Sequence, residues 1–190
     1  VPRVQPLRDL RPRLEVVNVV ATAELDQPVD LVKLTGLEGF LYDQAIYHCA
    51  YLKDRNTKAK VSIFATGKMI SVGAKSLADS EHDLKYTAGI LVKHNVIKHT
   101  KIEVKLRNIV ATTQLGMKLD LESLTRTLPS VIYEPEQFPA AIYHAKDLET
   151  ASVLVFSNGK IVFAGLRTTQ QLKMARKVAA SLIMVAHSSD

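Results

Sequence analysis

Ser62-Ile63-Phe64-Ala65-Thr66-Gly67-Lys68-Met69-Ile70-Ser71-Val72-Gly73 returns as Leu154-Val155-Phe156-Ser157-Asn158-Gly159-Lys160-Ile161-Val162-Phe163-Ala164-Gly165, at an offset of 92 residues shared by Phe64/Phe156, Gly67/Gly159 and Gly73/Gly165. Each copy reads as a β-hairpin. An apolar strand closes on Phe, two small residues and a Gly able to adopt positive φ make the turn, Lys follows, and a second apolar strand runs to Gly. In a chain of 190 residues such a repeat implies a duplicated half.

The flanking sequence extends the repeat in both directions. Leu14 to Ala23, rich in β-branched residues, reads as a strand, and Ile102 to Thr113 is its counterpart, with Asn18-Val19-Val20-Ala21-Thr22 echoed by Asn108-Ile109-Val110-Ala111-Thr112. Asp30 to Leu37 predicts a short helix with Leu31, Leu34 and Leu37 inward, weakened by Gly36, and Asp120 to Leu128 echoes it. Tyr42 and Tyr133 follow, then strands at His48 to Lys53 and Ala140 to Ala145. Ser76 is placed to cap a helix over Leu77 to Asn95 with Leu84, Ala88, Leu91 and Val92 to one side, its early acids Asp79, Glu81 and Asp83 suiting a helix N-terminus. Thr168 or Thr169 caps the second helix, whose stripe is Leu172, Ala175, Val178, Ala179, Leu182 and Ile183. Each half is thus strand, helix, four strands, helix. The repeats are assigned to 14–100 and 101–190, behind a flexible basic lead-in at 1–13.

Composition narrows the function classes. Hydrophobic residues make up 47%, suiting a folded core, and 25 Lys plus Arg against 19 Asp plus Glu give a net charge of +6. The single cysteine, Cys49, excludes an internal disulfide and a paired-cysteine zinc site and fits a reducing compartment. No apolar run is long enough for a membrane span, and Val1 to Arg13, with three Pro and four Arg, is too polar for a signal peptide. The six His show no metal-ligand spacing, and no phosphate-binding glycine loop or catalytic pair is present, which argues against an enzyme.

Val61 to Phe64 and Val153 to Phe156 are apolar on nearly every residue, whereas a sheet with one wet face should alternate. Two long helices can cover only one side. The other would carry Asn18, Val20, Phe64, Ile70 and Val72 with their mates Asn108, Val110, Phe156, Val162 and Ala164, and a large uncovered apolar face marks a partner site.

The duplicated halves, the Asn-containing strands, Tyr133-Glu134-Pro135-Glu136-Gln137-Phe138-Pro139 and Phe156-Ser157-Asn158-Gly159-Lys160 together resemble the conserved core of the TATA-box-binding protein family, over residues from about 14 to 187. The resemblance implies an α+β saddle: two pseudo-symmetric halves form one curved antiparallel ten-stranded sheet, with helices on the convex face and DNA gripped in the minor groove by the concave one. Groove insertion and duplex kinking are properties of that family itself.

Carried over residue by residue, the resemblance places intercalating rings at Phe64, Phe138 and Phe156, with Tyr47 as the fourth; a one-residue shift would put Ile46 or His48 there instead. It places minor-groove base contacts at Asn18, Val20, Ile70, Val72, Asn108, Val110, Pro139, Leu154, Val162 and Ala164. Phosphate contacts fall on Lys53, Lys68, Lys75, His144, Lys160 and Arg167, and Glu134 and Glu136 on the loop that docks the B-type initiation factor. The implied function is a general transcription initiation factor that bends TATA-like promoter DNA and nucleates the preinitiation complex. No cofactor, metal or catalytic group is implied. Its partners would be double-stranded promoter DNA, A-type and B-type general factors and the RNA polymerase machinery, with homodimerisation when free of DNA. The basic pI of about 9.4 leans toward the nucleus. The family usually has Thr at Val72 and Ala164 and Ala or Pro at His48, which suggests relaxed sequence choice, or a related scaffold acting mainly through protein partners.

Overall fold

A computed structural model describes residues 12–187; most of the expected lead-in therefore lies outside the described residues. The chain divides into two compact units, Val17–Asn108 and the segment from Ile109 together with the residues up to Val16.

The first half runs β1 (Glu15–Glu24), one 3-10 turn (Leu31–Leu34), β2 (Phe40–Leu41), β3 (Cys49–Leu52), β4 (Lys60–Phe64), β5 (Lys68–Ala74) and α1 (Leu77–Lys93). The second runs β6 (Glu103–Gln114), α2 (Leu121–Thr127), β7 (Val131–Ile132), β8 (Ala140–Tyr143), a 3-10 turn (Lys146–Leu148), β9 (Ser152–Phe156), β10 (Lys160–Leu166) and α3 (Thr169–His187). Sheet order is β2-β3-β4-β5-β1 in the first and β6-β10-β9-β8-β7 in the second, with antiparallel pairing.

The hairpin turns explain why the opening motif repeats. Gly67 donates its N–H to the Phe64 carbonyl at 2.9 Å with φ +92°, and Gly159 does the same to Phe156 at 2.9 Å with φ +83°. Both turns are docked on the loop after the leading strand: Leu25 and Leu115 each donate to the turn glycine's carbonyl at 3.0 Å. A Cβ at either glycine would collide with the carbonyl oxygen of Gln27 or Met117, so backbone approach as well as positive φ requires glycine.

Alternation sorts each sheet into two faces. In the first half Ala21, Ala23, Ala50, Leu52, Val61, Ile63 and Met69 are buried and form one core with Leu84, Ala88 and Leu91 of α1, and Val19 is buried as well. In the second, Ile109, Ala111, Val153, Val155, Ile161, Phe163 and Leu166 are buried, as are Ala175, Val178, Ala179, Leu182 and Ile183 of α3.

The ends of the helices refine the sequence reading. The Ser76 hydroxyl accepts from Asp79 N–H at 3.0 Å and donates to the Asp79 carboxylate at 2.6 Å, so the cap and its first acid lock each other. Helix α1 stops at Lys93 rather than Asn95 because Asn95 takes φ +55° and, with Val96, closes a Schellman cap onto Val92 and Leu91 at 2.9 Å each. Of the three acids assigned to the helix start, only Asp79 caps it. Glu81 lies 3.9 Å from Lys85, and Asp83 is fully buried, accepting from the backbone N–H of Lys58 and Ala59 at 3.0 and 2.7 Å. The first short helix is a single 3-10 turn, with Leu31 and Leu34 buried and Leu37 half-buried, because Gly36 at φ +78° ends it. Its counterpart α2, with Arg126 at that place, completes seven residues behind the Asp120 cap.

Candidate nucleic-acid interface

The face of each sheet away from its helix is built by cross-strand rows. In the first half one row joins Val20, Val72 and Lys60, and the next joins Thr22, Ile70, Ser62 and Tyr51. In the second, Thr112, Val162, Leu154 and Ile142 form a row, and Ala164 stands opposite Ser152. These residues are half-buried, except that Lys60 and Val72 are exposed and Thr22 is buried.

Asn18 is held by the protein with one atom and open with the other. Its Oδ1 accepts Gly73 N–H at 2.9 Å, where the pairing of β5 with β1 shifts register at a bulge and Gly73 takes φ +107°. Because a backbone N–H can only be met by the carbonyl oxygen, the Asn18 amino group is left to donate outward. Asn108 is also half-buried, immediately before Ile109 on β6, and Val110 alternates with the buried Ile109 and Ala111.

Aromatic residues mark the outer strands. Phe64 pairs with Cys49 and Phe156 with Ala140, which sets the offset between the β3 and β8 segments at 91 and makes Tyr47 the counterpart of Phe138. The preceding turns agree: Tyr47 N–H donates to the Asp43 carbonyl at 2.8 Å and Phe138 N–H to that of Glu134 at 3.0 Å. Ile46 is 65% exposed within that turn and His48 follows it, so neither occupies the place of Phe138. Phe138, 39% exposed, meets Phe156 edge-on with centroids 6.4 Å apart. Tyr47 instead meets Tyr51 at 5.7 Å and 87°, and Lys60 Nζ lies 4.6 Å from the Tyr51 ring centroid.

Tyr51 and Lys60 were not among the residues singled out from the sequence. The signal was available, since Tyr47, Cys49 and Tyr51 alternate and therefore share one side of an extended chain. A hydrogen bond to the Cys49 thiol and its proximity push the Tyr51 phenol above its ordinary pKa, so it remains a neutral donor and acceptor at physiological pH.

The expected cationic positions are all exposed: Lys68 and Lys160 open β5 and β10, Lys75 and Arg167 follow those strands, and Lys53 and His144 follow β3 and β8. Lys68 is the cross-strand partner of Glu24, whereas Lys160 is that of Gln114. Glu134, Glu136 and Pro139 are exposed in the loop between β7 and β8. Among the described residues no group of acidic, His and Cys side chains could hold a metal ion, and no helix is long and apolar enough to cross a membrane.

Similarity to known proteins bears on both fold and family. The family described as "Transcription factor TFIID (or TATA-binding protein, TBP)" matches residues 13–94 and 103–184. The chain is 37% identical over 167 residues to a TATA-box-binding protein of Cenarchaeum symbiosum, covering 87% of this chain and 91% of that one. It is 32% identical over 162 residues to the TATA-box-binding protein of Methanothermobacter thermautotrophicus, covering 85% and 89%. A solved structure, Methanococcus jannaschii TBP, superposes with a TM-score of 0.78 at 30% identity, covering 91% of this chain and 99% of that one. The α+β fold with an antiparallel sheet of ten strands is that of this structure, and the family is one of transcription factors rather than enzymes. The two matched segments, the archaeal relatives and the superposition agree: the chain belongs to the TATA-binding protein family of transcription factors.

Proposed function

We propose that the chain is a transcription initiation factor that binds A·T-rich promoter DNA in the minor groove and bends it. The observation that carries this reading is Asn18: its Oδ1 is committed to Gly73, which leaves its amino group as the free donor on a strand that carries Val20, the cross-strand partner of Val72. A donor set in an apolar surface matches a groove floor that presents only acceptors, as A·T and T·A both do, and rejects the guanine amino group. Val20, Ile70 and Val72 with Asn18, and Val110, Leu154, Val162, Ala164 and Pro139 with Asn108, supply the surface against base edges. Each of the two repeats, 14–100 and 101–190, supplies its own set of these contacts.

Phe138 and Phe156 of the second repeat and Phe64 with Tyr47 of the first are the rings that enter base steps; unstacking is offset by the added surface that a bent duplex touches. Lys53, Lys68, Lys75, Lys160 and Arg167 bind phosphates, with His144 as a weaker sixth contact. Glu134 and Glu136 dock the B-type initiation factor, the A-type factor and the polymerase machinery complete the assembly, and a homodimer covers the apolar face when DNA is absent. The charge alone argued for a nucleus; the relatives named above come from archaea, which have none, so the proposed location is wherever promoter DNA is held.

The test is binding and bending, by end-to-end fluorescence transfer at fixed salt, on an A·T-rich duplex and its G·C-rich scramble. Tight binding with bending on the first alone is the expected result. Equal, strongly salt-dependent binding without bending would overturn it in favour of the scaffold reading, for which the loss of hydroxyls at Val72 and Ala164 and the engagement of Tyr47 by Tyr51 speak.

A further inference from the structure

The open faces of the two repeats differ chemically at equivalent places. The pairings of Phe64 with Cys49 and Phe156 with Ala140 make Tyr51 the counterpart of Ile142. Ser62 stands opposite Tyr51 as Leu154 stands opposite Ile142. One half therefore carries two hydroxyls where the other carries two aliphatic side chains. The Tyr51 ring is held from two sides, by the edge-on Tyr47 at 5.7 Å and by Lys60 Nζ at 4.6 Å.

We propose that Tyr51 and Ser62 let the first repeat accept a G·C pair at a place where the second repeat, through Ile142 and Leu154, accepts only A·T, so that the chain sits on an asymmetric duplex in one orientation. The inference rests on the DNA reading above. In the minor groove a G·C pair adds one donor, the guanine amino group. Covered by Leu and Ile, that donor loses its water without gaining an acceptor; covered by a phenol and a serine hydroxyl, it gains two oxygens able to accept.

A self-complementary A·T duplex gives the test, because its two binding orientations are equivalent. One G·C pair is introduced and moved pair by pair through one half of the duplex, then introduced at both symmetric places, and affinity is read by anisotropy at fixed salt. At the responsive place one G·C pair costs at most about twofold, the statistical loss of one orientation, while two cost about tenfold or more. Tyr51→Ile with Ser62→Leu makes the first G·C pair alone cost about tenfold. The reciprocal change, Ile142→Tyr with Leu154→Ser, restores binding to the doubly substituted duplex, a gain that misfolding cannot produce.

Equal stepwise losses for the first and second G·C pair at every place overturn the proposal, as does unchanged tolerance in the Tyr51→Ile/Ser62→Leu protein. If the unmodified chain binds the A·T duplex no better than a G·C scramble, the DNA reading itself fails. Clear A·T preference with symmetric losses defeats only the orientation.

Discussion

Asn18→Asp separates what Asn18 does inside the protein from what it offers outward. The Oδ1 acceptor of Gly73 N–H, at 2.9 Å, survives the change, and with it the bulge on β5. Unfolding free energy should move by less than about 0.5 kcal/mol, the usual range for a surface change that keeps its contacts. The outward atom changes from an amino donor to a carboxylate oxygen. Facing acceptors on the groove floor, it forfeits a hydrogen bond worth about 1 kcal/mol net and leaves a charge without a partner, for a combined loss of about 3 kcal/mol or more. That is roughly a hundredfold in affinity. Asn18→Ala is the control with the opposite balance: it loses the Gly73 bond, costing about 1 kcal/mol of stability, and the base contact, costing roughly fivefold in binding. The Ala loss should be larger on A·T-rich than on G·C-rich duplexes, because the guanine amino group opposes the amide donor. Urea unfolding and anisotropy titrations on both duplexes check all of this. Undiminished A·T binding by the Asp protein would refute the outward-donor reasoning, and equal losses on both duplexes for the Ala protein would remove Asn18 from base reading.

Phe138→Ala with Phe156→Ala, two rings 6.4 Å apart, should abolish bending on the A·T-rich duplex and weaken binding at fixed salt; unchanged affinity and transfer efficiency would mean that they do not enter base steps. The five cationic side chains Lys53, Lys68, Lys75, Lys160 and Arg167 set a slope of log affinity against log salt of about −4 to −5, with Lys160→Ala lowering its magnitude by about one; a slope near zero would remove the phosphate contacts. Asp83→Ala strands the N–H groups of Lys58 and the buried Ala59, and should destabilise by about 2–4 kcal/mol in urea unfolding, an effect absent if water replaces the carboxylate.

What was legible in the sequence was whatever the duplication repeats. The hairpins, the leading strands and the helical stripes were found because two copies had to satisfy the same packing, as with Phe64 and Phe156 or Leu91 and Leu182. What was missed has one copy. Asp83 looked like a helix-start acid, since its burial depends on the turn at Lys58 and Ala59, which lies 24 residues away and has no sequence mark of its own. Tyr51 became visible only through cross-strand register, which brings Lys60 onto its ring. The end of α1 depended on Asn95 adopting the left-handed region, where glycine would have announced itself.

The distribution of differences between the two halves is itself informative. On the helix-facing side counterparts keep their character, Val61 with Val153, Ile63 with Val155 and Met69 with Ile161, because a close-packed core restricts size and polarity. On the open side Tyr51 is the counterpart of Ile142, Ser62 of Leu154 and Lys60 of Ser152; within the first half Tyr51 is met by Tyr47 and Lys60. A surface free only to be wet would drift toward polar residues in both copies. Here the second half carries Ile142 and Leu154 where the first carries Tyr51 and Ser62, and an uncharged Ser152 where the first carries the cation Lys60. Polar and apolar versions of one position, retained side by side in one chain, are accounted for by a ligand that presents different chemistry to each half, and a duplex with unlike ends is such a ligand.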